Sequence, residues 1–182
     1  SLSVSASLPI PAAPAINAKG YILIEHSTGQ VLAQKNPDER LEPASLTKIM
    51  TAFVVFGELR AGRLSLDDEV TVSEKAWRTE GSRMFIEVNT RVRVEDLMQG
   101  MIVQSGNDAS VALAEQVAGT EETFAVMMNQ AALGIGMTSS NFRNATGLPA
   151  SDHYSTARDM ALLARALIAQ FPDYYGRWYS QR

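Results

Sequence analysis

The sequence of 182 residues contains no cysteine and two histidines, His26 and His153, which lie far apart along the chain. Metal sites built from cysteine and histidine are therefore nearly excluded, and we expect neither a metal nor a cofactor. A Ser-His-Asp triad needs one histidine, but the Gly-x-Ser-x-Gly motif that often carries such a nucleophile is absent. A nucleophile activated by a base other than histidine is therefore favoured over a Ser-His-Asp triad.

Long runs of basic or apolar residues are also missing. With a net charge of −4 and scattered lysines and arginines, the chain lacks the electrostatic footprint of a nucleic-acid-binding protein, so we expect no nucleic acid partner. Charged residues interrupt every apolar stretch well before the roughly 20 residues that a membrane-spanning helix needs. The Pro-rich residues 1–16 lack the basic segment of a signal peptide and predict a flexible arm. Residues 17–182 can form one substantial core.

Hydrophobic patterning predicts a β-hairpin followed by a mainly helical cluster. The hairpin pairs residues 20–25 with 30–34 around a small polar turn. Residues 46–59 are apolar on almost all sides, which is typical of a core helix, and Gly62 follows where that helix should end. A short strand is predicted at 69–72, and further helices at 74–77, 95–103, 108–118, 121–135 and 157–171.

The segment Pro43-Ala-Ser-Leu-Thr-Lys48 opens the predicted core helix. Ser45 and Lys48 are three residues apart and share one face of a helix, so their side chains can meet. An unprotonated lysine can remove the proton of the serine hydroxyl while the serine attacks a carbonyl carbon. Because the helix is apolar, burial should lower the pKa of Lys48 and favour its neutral amine. The pair predicts a serine nucleophile with a lysine base.

A second polar segment, Gln104-Ser-Gly-Asn-Asp108, lies between two predicted helices. A hydroxyl and a carboxamide two residues apart on a tight turn can point into one cleft. Ser105 could then relay a proton between lysine and leaving group, and the Asn107 amide could hold a substrate carbonyl or the lysine itself. The two segments together favour catalysis over a structural role.

Each segment also has a purely structural interpretation. Ser45 and Lys48 recur at this spacing by composition alone, and Ser45 could be only a helix N-cap, with Lys48 solvated in the first turn. Gly106 could be only a turn, and Asn107 the cap of the following helix. Asp152 and His153 are interpreted as a solvated turn, whereas Arg158 and Asp159 are interpreted as structural residues of a helix start, where Thr156 and Asp159 resemble a capping box.

Ser-x-x-Lys followed by Ser-x-Asn is the pair of motifs shared by penicillin-binding proteins and serine β-lactamases. Longer stretches narrow the resemblance: from about residue 17 onward the chain resembles low-molecular-mass D-alanyl-D-alanine carboxypeptidases of the penicillin-binding protein five type. The stretches that carry it are Tyr21-Ile-Leu-Ile24, Pro43–Lys48, Gln104–Ala109, Asn144-Ala-Thr-Gly-Leu-Pro149 and Tyr154-Ser-Thr-Ala-Arg-Asp-Met-Ala161.

The resemblance implies a periplasmic serine peptidase with a mixed α/β, transpeptidase-like fold. Such an enzyme removes the terminal D-alanine from peptidoglycan stem pentapeptides through an acyl-enzyme, and β-lactams trap it by mimicking that substrate. Carried over by residue, Ser45 is the nucleophile, Lys48 the general base, Ser105 the proton relay and Asn107 the substrate-orienting amide. The backbone N–H of Ser45 would supply one oxyanion donor at the positive end of its helix.

One departure from the family pattern is the absence of Lys-Thr-Gly, the third motif, which occurs nowhere in the 182 residues. In the family that motif lies on a downstream sheet strand, recognises the substrate carboxylate and supplies the second oxyanion donor. We therefore expect residues 17–182 to be the N-terminal, mainly helical portion of one catalytic domain, lacking the C-terminal sheet strands and the membrane anchor of the family.

Three functional hypotheses follow from that departure. The first is a carboxypeptidase whose remaining residues lie outside this sequence. The second is a non-catalytic binding or scaffold fragment, in which the nucleophile is present but the cleft is open. The third and least favoured is a serine β-lactamase, because the Glu-x-x-Asn segment with which class A enzymes activate the deacylating water is absent.

Overall fold

The structure is a computed structural model and describes residues 12–181. Most of the predicted N-terminal arm, residues 1–11, lies outside the described residues. The described part begins with strands β1 (Tyr21–Ile24) and β2 (Val31–Lys35), followed by a 3-10 turn at Ala44–Leu46. The remaining elements are α1 (Thr47–Arg60), β3 (Glu69–Thr71), α2 (Glu74–Arg78), β4 (Arg91–Arg93), α3 (Val94–Gln104), α4 (Asn107–Ala118), α5 (Glu121–Gly134), α6 (Ala157–Gln170) and α7 (Pro172–Trp178).

The predicted hairpin is confirmed: β1 and β2 pair antiparallel, with Tyr21 opposite Lys35. The Glu25 carboxylate organises the turn, since it accepts the backbone N–H groups of Ser27 at 3.0 Å and Thr28 at 2.6 Å. The Thr28 hydroxyl also donates to this carboxylate, at 2.7 Å, and that bond together with the backbone and Ser27 bonds lowers the pKa of Glu25 to about 2. The hairpin packs on α6, whose Arg165 donates to the His26 carbonyl at 2.7 Å.

Helix α1 is the centre of the core, as its apolar pattern predicts. It packs against α3, α4, α5 and α6. Its Phe56 is fully buried and stacks on Trp178 with ring centroids 5.7 Å apart, and Phe53 meets Phe171 edge-on at 5.3 Å. This packing fixes the position of α1, whose first turn carries Lys48 and directly follows the 3-10 turn that carries Ser45.

The two short elements that the sequence pattern does not predict are β4 and α7. Strand β4 is an Arg-Val-Arg tripeptide that pairs antiparallel with β3, and so short an alternation cannot be separated from loop by periodicity. The helix predicted at 157–171 is confirmed as α6, which ends at Gln170, and Pro172 begins α7 directly beyond it. Proline is favoured at a first helical position, where its missing N–H is not needed.

The capping pair at the start of α6 is half present. Thr156 Oγ1 accepts the N–H of Asp159 at 3.1 Å, as in a capping box. The buried Asp159 carboxylate turns instead to the neighbouring loop, where it accepts the N–H of Ser139 at 2.9 Å and the hydroxyl of Ser140 at 2.7 Å. The predicted structural role of Asp159 therefore includes anchoring this loop. Across residues 12–181, no helix has the length and apolar character needed to span a membrane.

Candidate active site

Ser45 lies in the exposed 3-10 turn that leads into α1. The capping residues of the turn and of α1 are Pro43 and Leu46, and neither forms a side-chain capping bond. The interpretation of Ser45 as only an N-cap is therefore wrong. Ala44, immediately before it, has a φ of 49°, in the left-handed region that alanine rarely adopts. Since the first amides of a helix lack intrahelical acceptors, the Ser45 N–H is suited to bind an anionic oxygen.

Lys48 is buried, with 5% of its surface exposed, so it is not the solvated first-turn residue of the structural interpretation. Its Nζ lies 3.3 Å from Ser45 Oγ and donates to the Thr146 carbonyl at 2.8 Å. Burial lowers the pKa of Lys48 to about 8. At pH 7 roughly one lysine in ten is then the neutral amine that can accept a proton from Ser45.

This pKa predicts the pH dependence of Ser45 acylation. The predicted base is the neutral amine of Lys48, whose fraction rises with pH, so acylation should be slow in acid and fast in mild alkali. We expect the second-order rate constant for a penicillin to rise about tenfold per pH unit below pH 8 and to level off above it. Stopped-flow measurement between pH 5.5 and 9.5 tests this. A rate that levels off near pH 6.5 would indicate a different base.

Ser105 lines the same pocket, a cavity of about 100 Å³, as Ser45 and Lys48. It caps the C-terminus of α3 with φ 57° and ψ 36°, a left-handed conformation that costs a serine about 1 kcal/mol. Strained residues of this kind cluster at functional sites. The remaining lining residues are Ile49, Met101, Ile102 and Tyr179. Burial raises the pKa of Tyr179, so its phenol stays protonated.

Asn107 is the predicted site residue that does not line this pocket. Its Nδ2 donates to the Glu80 carbonyl at 2.6 Å, and its backbone N–H donates to the Ser82 carbonyl at 2.7 Å. The N-cap of α4 is Gly106, so the interpretation of Asn107 as a helix cap is wrong. The structure brings Ser45, Lys48 and Ser105 together around one pocket, whereas Asn107 holds the loop at 80–82. Its role toward substrate stays a prediction.

Asp108 is a buried residue of the site that the sequence did not single out. One per cent of it is exposed, and its two carboxylate oxygens accept the N–H groups of Met84 at 3.0 Å and Ile86 at 3.2 Å. Two successive contacts therefore tie the loop at 80–86 to the Ser-x-Asn turn, through Asn107 and through Asp108. The sequence signal was a carboxylate directly after the motif, but its partners are about twenty residues away and depend on the fold.

A segment at 143–147, here called the strap, runs beneath the first turns of α1. Two of its backbone carbonyls accept hydrogen bonds from α1. Lys48 Nζ donates to the Thr146 carbonyl and Thr51 Oγ1 donates to the Ala145 carbonyl, both at 2.8 Å. Gly147 has a φ of 88° and packs directly on the backbone of Ala44 and Ser45, so that an added Cβ would overlap the Ala44 carbonyl group. The strap overlaps the family-like stretch Asn144–Pro149, but nothing in the sequence indicates that it supports Ser45.

His153 corrects one sequence-based interpretation. It is buried, with 4% of its surface exposed, and does not lie in a solvated turn, although its neighbour Asp152 is exposed. Its Nε2 lies 2.9 Å from Thr47 Oγ1, and its Nδ1 accepts the N–H of Arg143 at 2.9 Å. Burial lowers the pKa of His153, which favours the neutral ring. The polar segment around it is typical of a surface loop, and only the tertiary packing of the strap explains its burial.

The family model described as D-alanyl-D-alanine carboxypeptidase matches residues 8–181. The chain belongs to this family. The carboxypeptidase DacC of Escherichia coli is 47% identical over 169 residues, which cover 90% of the chain and 42% of the relative. The resemblance found in the sequence is therefore confirmed. The chain spans less than half the length of this relative.

Solved structures of the family confirm the fold. The carboxypeptidase DacD of Francisella tularensis superposes with a TM-score of 0.89 at 45% identity. The match covers 93% of this chain and 41% of the Francisella protein. Penicillin binding protein 5 of Haemophilus influenzae superposes with a TM-score of 0.88 at 42% identity. The match covers 91% of this chain and 49% of that protein. The mixed α/β fold of the penicillin-binding proteins, expected from the motifs, is thus the fold of this carboxypeptidase-family chain.

Proposed function

We propose that this chain carries the acylation centre of a serine-type D-alanyl-D-alanine carboxypeptidase. The observation that carries the proposal is the contact between Ser45 Oγ and the buried Lys48 Nζ at 3.3 Å, in a pocket that Ser105 also lines. A lysine with a pKa of about 8 can act as a base near neutral pH. The family membership of the chain supports D-alanyl-D-alanine as the substrate.

The proposed reaction has two halves. In the first, Lys48 takes the proton of Ser45 as Oγ attacks the penultimate D-alanine carbonyl, the Ser45 N–H stabilises the oxyanion, and an ester forms as the peptide C–N bond breaks. The proton passes through Ser105 to the leaving amine of the terminal D-alanine. In the second, water attacks the ester carbonyl and gives a proton to Lys48, which returns it to Ser45 Oγ as the ester C–O bond breaks and the shortened peptide leaves with a new carboxyl group. Asn107 would orient the substrate backbone from the edge of the pocket.

We further propose that the physiological partner is the peptidoglycan stem peptide and that β-lactams acylate the same serine. The name of one solved relative, penicillin binding protein 5, supports the proposed reaction with β-lactams. The reaction would take place in the periplasm, with the whole protein anchored to the inner membrane through a C-terminal segment. Lys-Thr-Gly is absent from the 182 residues, so we propose that recognition of the substrate carboxylate is supplied by residues that the relatives have beyond the matched region.

The test is intact-protein mass spectrometry of the natural full-length protein after incubation with benzylpenicillin. We expect one covalent adduct, located on the peptide that contains Ser45, and none in the Ser45→Ala variant. Release of D-alanine from a diacetyl-Lys-D-Ala-D-Ala tripeptide should depend on the same residue. An unmodified wild-type protein that is folded by circular dichroism would contradict the proposal.

The absence of Lys-Thr-Gly favours one alternative for the 182-residue chain by itself, namely a binding or scaffold fragment. That alternative predicts neither an adduct nor D-alanine release from the isolated chain, and turnover by the isolated chain would rule it out. Steady hydrolysis of nitrocefin would instead favour the serine β-lactamase, which is the least favoured of the three.

A further inference from the structure

His153 joins the strap to the first turn of α1, directly after the 3-10 turn that carries Ser45. Its ring lies between the Arg143 N–H, at the start of the strap, and Thr47 Oγ1, in the first turn of α1. Both contacts are 2.9 Å long, and the ring meets Phe142 edge-on at 5.9 Å. The ring is therefore held at both nitrogens by the two segments that it connects, and it also packs against Phe142.

The contacts determine the tautomer of the ring. A backbone N–H can only donate, so Nδ1 must present its lone pair to Arg143. In the neutral imidazole the proton is then on Nε2, which donates it to Thr47 Oγ1. His153 thus acts as acceptor toward the strap and donor toward α1, and exchanging the two roles would leave two N–H groups facing each other at Arg143.

This bridge lies next to the base of the proposed reaction. Thr47 and Lys48 are consecutive, and the Lys48 ammonium or amine takes its position from the Thr146 carbonyl of the strap. Any sliding of α1 over the strap would change the distance from Lys48 Nζ to Ser45 Oγ. We propose that His153 is a positioning residue for the acylation of Ser45, acting through its Nε2–H bond to Thr47. The inference rests on the proposed function and adds a residue to it.

Two amide variants separate this role from a general contribution to folding. In His153→Gln the terminal amide can reach the position of Nε2 and donate to Thr47, whereas in His153→Asn the amide oxygen can take the position of Nδ1 and keep the Arg143 contact. The Asn variant should acylate with benzylpenicillin at least tenfold more slowly at saturation, with the apparent dissociation constant unchanged. The Gln variant should stay within about threefold of wild type. Both are measured in the natural full-length protein, with thermal unfolding alongside.

Thr47→Val tests the same bond from the other side. We expect it to slow acylation as much as His153→Asn does, and the double variant to be no slower than either single variant, because both remove one interaction. Thr47→Val by itself still decides the matter if His153→Asn fails to fold, since an unchanged acylation rate in Thr47→Val would overturn the inference. Equal acylation rates for the Gln and Asn variants, or fully additive effects in the double variant, would overturn the inference.

The tautomer gives a measurement that does not depend on catalysis. A long-range 1H–15N spectrum of the wild-type protein should show a protonated Nε2 and an unprotonated Nδ1 for His153. The opposite tautomer would overturn the inference even if the enzyme is active. A wild-type protein with the expected tautomer that penicillin does not acylate would contradict the proposed function alone.

Discussion

Replacement of Lys48 by arginine should reduce the rate of Ser45 acylation by about a thousandfold, within the range that general bases contribute. The guanidinium keeps the positive charge and can still donate to the Thr146 carbonyl, but its pKa is so high that it stays protonated at any working pH and offers no neutral form. The buried lysine, with a pKa of about 8, supplies that form. The Lys48→Arg variant therefore distinguishes the role of Lys48 as a base from the role of its positive charge.

The measurement is the rate of acylation by a fluorescent penicillin in the natural full-length protein, followed on gels and by stopped flow. Lys48→Met, which removes both charge and base, should lose at least as much activity as Lys48→Arg. Lys75→Arg is the matched control, because Lys75 is an exposed lysine paired with Glu121 and Glu122 and lies outside the pocket. Undiminished acylation by Lys48→Arg would assign the base role to another group.

The Ser-x-x-Lys geometry is the part of the site that the sequence predicts well. The spacing of Ser45 and Lys48 is local, and a helix with apolar residues on most sides is buried whatever packs against it. Both the contact between the two side chains and the lowered pKa of Lys48 follow from these local facts. The major helices were predicted for the same reason, with boundaries within one or two residues of those observed.

The supporting contacts could not be predicted, because each joins segments that are far apart in sequence. The Lys48 acceptor is 98 residues away at Thr146, and Thr47 meets His153 across 106 residues. A polar residue in a polar segment is as typical of a solvated loop as of a buried bridge, which is why His153 was interpreted wrongly. Asn107 shows the same limit, since its partner Glu80 lies on a loop without any periodic pattern.

The contacts have a common consequence for the site. Ala44 and Ser105 both have left-handed backbones at non-glycine residues, at φ 49° and 57°, and each is adjacent to or part of a catalytic motif. Such conformations persist only where the surroundings determine them. The strap supports the first segment through Gly147, and the loop at 80–86 supports the second through Asp108. The two hydroxyl groups are thus held by packing rather than by their own helices.

Replacement of Gly147 by alanine should therefore slow acylation at least a hundredfold as well as destabilise the protein. Gly147 has a φ of 88°, and a Cβ at this position would overlap the Ala44 carbonyl group and lie 3.1 Å from the Ser45 nitrogen. Relief of that overlap must move either the strap, with its Lys48 acceptor, or the peptide that carries the nucleophile. A displacement of about 1 Å at such a site costs on the order of a hundredfold in rate.

Gly62→Ala is the matched control for this prediction. Gly62 also has a left-handed backbone, with φ 70°, but nothing lies within 4 Å of the position of its added Cβ. Both variants carry the intrinsic cost of a left-handed alanine, about 1 kcal/mol. Gly62→Ala should lose that stability in urea unfolding and acylate normally, whereas Gly147→Ala should unfold at clearly lower urea and acylate at least a hundredfold more slowly. Equal acylation rates in the two variants would show that the strap does not position Ser45, because the added contact at Gly147 is the difference between them.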